Sequence, residues 1–318
     1  MNVTDAFDDY QNTVNAAPAA VKESRRRRDL FKSALTDCDD VNRVKPSGSL
    51  ARGTHKSPIH DVDLIIEYGA ADHPDWGKDG DSAADALDHT SALVNQTLGA
   101  TSGTHAYEVR LASPRNHAVK CFLDDPDDED AFTVDAMPAL RQPDGTYLVP
   151  EKNNRTWILT NPQYLIDQVA DRHAAWNKFA GLVRMLKAWA ADQDTKIKSL
   201  VMEILALELL PERPNRPEAL KEFFVRAAYK IENGERVIDP ADLCGEIQPD
   251  LDYDALEKAL RTAADKATAA IDAVNHNDHH RAIHLWGEIF GDTFPKAPIS
   301  PAYAAPVAPR PVKDSPQG

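Results

Sequence analysis

The 318-residue chain has few cysteines, no long apolar run and no excess of positive charge. Its three cysteines, Cys38, Cys121 and Cys244, are isolated and odd in number, which argues against a disulfide framework or a paired-cysteine metal site. No segment approaches the roughly 18 apolar residues of a membrane span. The first residues lack the basic start and apolar stretch of a secretion signal. These absences predict a protein of the reducing cytoplasm with no membrane partner.

The net charge of −15 results from 51 acidic and 36 basic residues. Proteins that bind duplex nucleic acid usually carry a basic stripe, so no nucleic-acid duplex is expected as an obligatory partner. Part of the acidic excess lies in residues 124–130, which are interpreted as a solvated loop. The basic run Arg25–Arg28 spans more than one helical turn and is interpreted as solvated helix surface, with an anion or partner contact as the alternative.

The hydrophobic pattern changes its period along the chain. Helical spacing over 19–35 is followed by mostly strand-like segments from 41 to 140, with a helix over 82–98. After Asn161 the pattern is helical. Three parts are therefore predicted: an α/β lobe with an N-terminal helix at 1–155, a helical lobe at 156–293, and a disordered Pro-rich tail at 294–318. The predicted fold class is α+β, with a cleft between the two lobes.

The most informative segment starts at Gly48-Ser49 and leads into a strand that carries Asp61 and Asp63. Side chains alternate faces along a strand, so the two carboxylates project to the same side. Two adjacent carboxylates repel each other, and a divalent cation between them is the simplest way to keep both ionised. A Gly-Ser turn offers backbone N–H groups and a hydroxyl to phosphate oxygens. The pattern predicts a site for a nucleoside triphosphate and metal.

A third carboxylate is predicted at Asp135, a lone acid in the apolar strand 131–137, which Pro138 is expected to close. A buried, unpaired aspartate is costly unless it has a partner. Two-metal phosphoryl transfer needs carboxylates that clamp the attacking and leaving oxygens. An Asp-x-Asp pattern on a strand is, by itself, more often found at an exposed edge of a sheet. Here the Gly-Ser turn precedes it and the Asp135 strand follows it, and this order favours the metal site.

Together these motifs resemble the active-site signature of the polymerase-β-like nucleotidyltransferase superfamily. Within it, the chain is similar to the cyclic-GMP-AMP-synthase/DncV-like group, or CD-NTases, which includes the bacterial second-messenger synthases of CBASS anti-phage defence. Three segments carry the resemblance: Gly48 to Asp63, Phe132 to Ala139, and Trp157 to Pro162. It covers roughly Val41 to Leu210. It implies a mixed-sheet catalytic lobe, a helical C-terminal lobe and an active site in the cleft.

The resemblance implies a role for each residue that matches the family's motifs. Gly48 and Ser49 would bind the β- and γ-phosphates of the donor nucleotide. Asp61, Asp63 and Asp135 would be the catalytic acids and would hold two Mg²⁺ ions, for which Mn²⁺ is an expected substitute.

Two residues of the helical lobe match positions of the family whose motifs are less specific. Lys187 would reach the donor triphosphate, and the alternative is a lysine that snorkels beside Trp189. Ser199 would contact phosphate, and the alternative is a serine that merely starts a helix. Some relatives follow this polar position with a tyrosine that stacks on a base. Here that position is Leu200, so the sequence does not indicate which base is bound.

The implied activity is the synthesis of a cyclic di- or trinucleotide second messenger from NTPs, ATP among them, with release of pyrophosphate. A downstream effector would bind the product. The alternatives are a linear 2′-5′ oligonucleotide synthase, a nucleotidyltransferase that acts on RNA, protein or a small molecule, and an inactive nucleotide-binding regulator. Some family members are conjugated through their C-terminus by ubiquitin-transfer-like partners. Gly318 would be that site here, and a plain disordered tail is the alternative.

Overall fold

The computed structural model describes residues 1–128, 130–213 and 215–297. Helices occur at both ends of the described chain, and the strands lie between them. In chain order the elements are α1 (Val3–Val14), α2 (Pro18–Thr36), β1 (Val41–Pro46), α3 (Gly48–Arg52), β2 (Asp61–Tyr68), α4 (Ser82–Leu98), β3 (Leu111–Pro114), β4 (Val119–Phe122), β5 (Thr133–Arg141), β6 (Tyr147–Glu151), β7 (Thr156–Thr160), α5 (Pro162–Ala175), α6 (Phe179–Ala191), α7 (Ser199–Leu209), α8 (Arg216–Glu232), α9 (Tyr253–Asn275) and α10 (His279–Phe290). Within the described residues, no helix is both long and apolar enough to cross a membrane.

The strands form one mixed sheet, which confirms the predicted fold class. Strands β1, β2, β5, β4 and β3 are neighbours in that order, and β6 pairs with both β5 and β7. The β2–β5 pair is parallel, and the other pairs are antiparallel. Because parallel neighbours need a crossover connection, the chain between β2 and β5 contains α4 and the β3–β4 hairpin.

Two large hydrophobic clusters form the core. One lies between the sheet and helices α2 and α4, and it includes Val62, Leu64 and Ile66 from β2. The other joins the helices that follow β7. Helix α1 contributes Phe7 and Tyr10 to this second cluster, so the first helix of the chain packs on the helical lobe.

The prediction that Pro138 closes the third-carboxylate strand is wrong. Strand β5 continues through Pro138 to Arg141. Its pairing with β4 ends at Ala136, and its pairing with β6 begins at Leu140. Among the described residues, β5 therefore pairs at Pro138 with β2 alone and has no strand on its other side. On that open side, the N–H that proline lacks would have no strand partner, so no hydrogen bond of the sheet is lost.

The packed part of the chain extends into the segment predicted as a tail. Phe294 is 2% exposed and its ring contacts those of Phe7, Tyr10 and Phe290. The predicted conjugation site, Gly318, lies outside the described residues, as does the rest of the tail from residue 298 onward. The domain boundaries at 155 and 293 stay predictions.

Candidate active site

The three predicted acids meet on one face of the parallel strand pair. Asp63 on β2 is in direct register with Asp135 on β5, and Asp61 lies two residues before Asp63. Residues that face each other across two strands share a side of the sheet, as do residues i and i+2. One carboxylate oxygen from each residue lies within 4.8 Å of those from the other two. The structure therefore brings together the three acids that the sequence analysis singled out.

The acid cluster is partly buried, and its carboxylates raise one another's pKa values. Burial, together with the charges of Asp61 and Asp135, raises the pKa of Asp63 to about 7. Burial and the charge of Asp61 raise the pKa of Asp135 to about 6. Asp135 Oδ1 is buried and has no hydrogen-bond partner. An unpaired acceptor among crowded carboxylates is the environment that a bound divalent cation would relieve, so the three residues fit a metal.

These raised pKa values predict that metal and pH act together on stability. The folded chain binds protons at Asp63 and Asp135 more tightly than the unfolded chain does. Without metal, this contribution to the free energy of unfolding is therefore largest near pH 4 and is lost as pH rises through about 6 and 7. We expect Mg²⁺ to raise the melting temperature at pH 8 and to have little effect at pH 5, because the carboxylates must be ionised to bind it.

The measurement is thermal unfolding across this pH range, in EDTA and in Mg²⁺. Asp63→Asn is the control, since an amide cannot titrate, and it should flatten the loss of stability between pH 5 and 8 in EDTA. An identical pH profile in this variant would contradict the pKa assignment.

The predicted Gly-Ser turn is a short helix, α3, whose first residue is Gly48. Gly48 has a φ of +65°, and a Cβ built there would lie 1.6 Å from Asp63 Oδ2. The backbone N–H of Ser47 donates a 2.9 Å hydrogen bond to the carbonyl oxygen of Asp63. The Asp63 carboxylate thus packs directly on the Gly48 backbone, which requires a residue without a side chain.

Gly48→Ala should therefore displace the Asp63 carboxylate and lower kcat by at least about 100-fold, as expected for a misplacement of about 1 Å. Gly53→Ala is the matched control, because Gly53 also has a positive φ, +68°, but has open space at its Cβ position. This control should lose about 1 kcal/mol of stability and keep a turnover close to that of the unmodified chain. Equal kcat losses in the two variants, measured as pyrophosphate release, would show that backbone strain alone is responsible.

The acids open onto a cleft of about 440 Å³ between the sheet and the helices. Ser49, Ser199 and Leu200 line it, together with Gly48 and the acids. Within the described residues, no Phe, Tyr or Trp lines this cleft. Leu200 thus occupies the wall where the resemblance would place a stacking ring. The phosphate-contacting roles of Gly48, Ser49 and Ser199 stay predictions.

Lys187 does not line this cleft. Its side chain is 3% exposed, and Nζ contacts the Glu203 carboxylate and donates 3.2 Å hydrogen bonds to the carbonyl oxygen and the hydroxyl of Thr54. Glu203 also accepts a 2.5 Å hydrogen bond from Arg52 Nε. The role of Lys187 at the donor phosphates stays a prediction, and in this conformation the ammonium is held by Glu203 and Thr54.

Arg52, Glu203 and Lys187 form a buried ion triad that joins the two lobes. Arg52 ends α3, beside the acids, whereas Lys187 and Glu203 come from α6 and α7. Burial raises the pKa of Glu203, but the two cations outweigh this effect and hold the pKa below its usual value. The triad therefore fixes α3 against the helical lobe through a carboxylate that stays ionised.

The sequence reasoning did not assign Arg52 or Glu203 to the site. A signal was available, because Glu203 and Lys187 are opposite charges flanked by apolar residues in two strongly apolar helices, and buried charges are normally paired. Asp239, Cys244 and Ile247 also line the cleft and were missed. They lie in the irregular segment between α8 and α9, where no motif marks them.

Known proteins resemble this chain in both sequence and fold. The cyclic AMP-AMP-AMP synthase of Escherichia coli (strain MS 115-1) is 23% identical over 308 residues, which cover 86% of this chain and 90% of that protein. The cyclic AMP-AMP-AMP synthase of Acinetobacter sp. (strain ATCC 27244 / 9458) is 22% identical over 175 residues, so that match spans about half the length of each chain, 52% and 51%. No family model matches.

Among solved structures, that of E. coli MS115-1 CdnC with ATP superposes with a TM-score of 0.72 at 20% identity. The match covers 93% of this chain and 99% of that one. The fold is therefore that of the CD-NTases, which confirms the fold predicted from the sequence. The sequence matches confirm the resemblance to this group.

Proposed function

We propose that this chain is a metal-dependent nucleotidyltransferase that joins NTPs into a cyclic di- or trinucleotide and releases pyrophosphate. The observation that carries the proposal is the register of Asp63 with Asp135, which places three carboxylates on one face beside Ser49. A protein named as a cyclic AMP-AMP-AMP synthase matches the chain along most of its length, which supports the same activity.

Asp61, Asp63 and Asp135 would hold two Mg²⁺ ions. When bound, these ions neutralise the charge that develops on the reacting phosphoryl oxygens. Ser49 and the backbone of α3 would bind the β- and γ-phosphates, which orients the α-phosphate toward the acids. The buried Arg52–Glu203–Lys187 triad would hold this segment in place, since Arg52 ends the same short helix.

The acceptor ribose would lie on the Asp135 side of the cleft. Asp135 would help to activate the attacking ribose hydroxyl by accepting its proton. That hydroxyl oxygen then forms a bond to the donor α-phosphorus while the bond to pyrophosphate breaks. The linear intermediate then reorients in the same cleft, and a repeat of this step closes the ring.

ATP is the substrate that the relatives' names support, because both matched synthases are named for products made of AMP units. The cleft wall at Leu200 is aliphatic, so base recognition would depend on contacts other than ring stacking at this position. NTP substrates and three free cysteines fit the cytoplasm. We further propose a role in CBASS-type defence, with an effector that binds the product and conjugation through Gly318.

The test is incubation of the purified chain with labelled ATP, the other NTPs and Mg²⁺. A phosphatase-resistant labelled small molecule is the expected result. A labelled product, distinct from ATP, that loses terminal phosphates to phosphatase would indicate a linear oligomer, and label on RNA or protein would indicate another acceptor. Nucleotide binding without turnover would favour the alternative of an inactive nucleotide-binding regulator.

A further inference from the structure

A second cluster of metal-ligating side chains lies far from the acids. Asp40 immediately precedes β1, His73 lies in the connection between β2 and α4, and His89 is in α4. One ligand atom from each lies within 4.8 Å of those from the other two. Asp40 lies beside the end of β2 that is remote from Asp61, since the neighbouring Val41 pairs with Tyr68 and the Gly69 N–H donates a hydrogen bond to the Asp40 carbonyl oxygen. The strand rise of about 3.3 Å per residue puts the cluster about 20 Å from the catalytic acids.

The geometry points to a structural site for a borderline transition-metal cation, with Zn²⁺ as the leading candidate, ligated by Asp40, His73 and His89. His73 Nε2 lies 3.0 Å from Asp40 Oδ2, and His89 Nε2 lies 2.6 Å from the same oxygen. Ligand atoms at adjacent corners of a zinc tetrahedron are about 3.3 Å apart, given bonds of about 2.0 Å. Expansion by less than about 1 Å would admit the ion.

The donor set selects the class of cation. Two imidazole nitrogens and one carboxylate oxygen suit Zn²⁺ and its neighbours, whereas Mg²⁺ prefers oxygen ligands alone. Both rings present Nε2 to Asp40, so binding would move the proton of each ring to Nδ1. All three side chains are only partly buried, which leaves room for a water molecule as the fourth ligand.

The surroundings also favour a cation at this cluster. In the part of the chain that the structure describes, no Lys or Arg pairs with the Asp40 carboxylate, whose partners are the two imidazoles. Asp37 and Asp39 are exposed and lie within three residues of Asp40, which adds negative charge. No fixed positive charge would therefore have to be displaced when a dication binds.

Aromatic rings hold the two histidines in place. The Trp76 ring stacks on His73 with centroids 3.7 Å apart, and the Tyr68 ring packs edge-on against His73 and His89 at 5.4 and 5.5 Å. Packed supporting side chains of this kind preorganise metal ligands. A bound ion would link the start of β1, the β2–α4 connection and α4, and so would fix the far end of the strand that carries Asp61 and Asp63.

The test measures Zn²⁺ binding to EDTA-treated full-length protein by titration against a chromophoric chelator. We expect one tight Zn²⁺ per chain, and the same affinity in an Asp61→Ala/Asp63→Ala variant, which removes carboxylates of the catalytic site. His73→Gln and His89→Gln should each weaken binding by at least about 100-fold, because even the loss of a supporting residue costs 10- to 100-fold. His276→Gln, at an exposed histidine, is the matched control and should bind as the unmodified chain does.

Co²⁺ offers a second readout that does not depend on the chelator. Quenching of Trp76 fluorescence by Co²⁺ is expected, and Trp76→Phe should abolish it. Circular dichroism confirms that each variant is folded. Unchanged Zn²⁺ affinity in both histidine variants, or loss of tight binding in the Asp61→Ala/Asp63→Ala variant alone, would overturn the assignment. Neither result bears on nucleotidyl transfer, which is measured separately.

Discussion

Asp63→Asn is expected to lower kcat by at least about 10³-fold, equivalent to about 4 kcal/mol of transition-state stabilisation. The amide has nearly the same shape, so it can still fit against Gly48, but it removes the central charge of the cluster. Asp63 is in register with Asp135 and two residues from Asp61, so its charge interacts with those of both other acids. The measurement is pyrophosphate release at saturating NTP and Mg²⁺.

The matched control for this prediction is Asp127→Asn. Asp127 is an exposed acid in the loop before β5, and its replacement should leave kcat unchanged. Asp63→Asn should also remain folded, because it removes a carboxylate whose pKa is raised by burial and by like charges. A turnover within tenfold of the unmodified chain would contradict the assignment of Asp63 to the catalytic site.

Glu203→Ala is expected to lower the free energy of unfolding by about 3–5 kcal/mol, because it leaves two buried cations without their counter-ion. The Glu203 side chain is 0% exposed and contacts both Arg52 and Lys187. The measurement is urea-induced unfolding at equilibrium. The lobes meet at this triad, so the same variant should also lower turnover at temperatures where it remains folded.

Glu208→Ala is the matched control for the triad. Glu208 is in the same helix, but its side chain is 48% exposed in its ion pair with Lys230, and a pair of this kind contributes less than about 1 kcal/mol. A triple variant, Arg52→Met, Lys187→Met and Glu203→Leu, should recover most of the stability lost in Glu203→Ala, since an apolar replacement leaves no buried charge. Equal losses in the free energy of unfolding for Glu203→Ala and Glu208→Ala would contradict a larger contribution of the buried triad to stability.

The acid cluster could be predicted from the sequence because its geometry follows from strand periodicity. Alternation places Asp61 and Asp63 on one face whatever the rest of the fold does. The lone Asp135 in an apolar strand marked a buried site that needs a partner. The helical lobe was likewise predictable from the change of hydrophobic period after Asn161, whereas the mixed sheet was implied by the family resemblance.

Features set by long-range packing were not predictable in the same way. The path of β5 through Pro138 depends on where β4 and β6 end. The packing of α1 and Phe294 on the helical lobe depends on which apolar face remains uncovered. Lys187 and its partner Glu203 are 16 residues apart on different helices, so their pairing depends on how α6 and α7 pack. The Asp40, His73 and His89 cluster joins three segments that share no sequence motif.

The mass of the product tests the proposed activity most directly. The purified chain is incubated with all four NTPs and Mg²⁺, treated with phosphatase and analysed by mass spectrometry, beside an Asp61→Ala/Asp63→Ala variant. The expected result is a phosphatase-resistant di- or trinucleotide that is one water lighter than the corresponding linear 5′-monophosphate and is absent from the variant. A linear product alone, or the same cyclic product from the variant, would contradict cyclic synthesis at these acids.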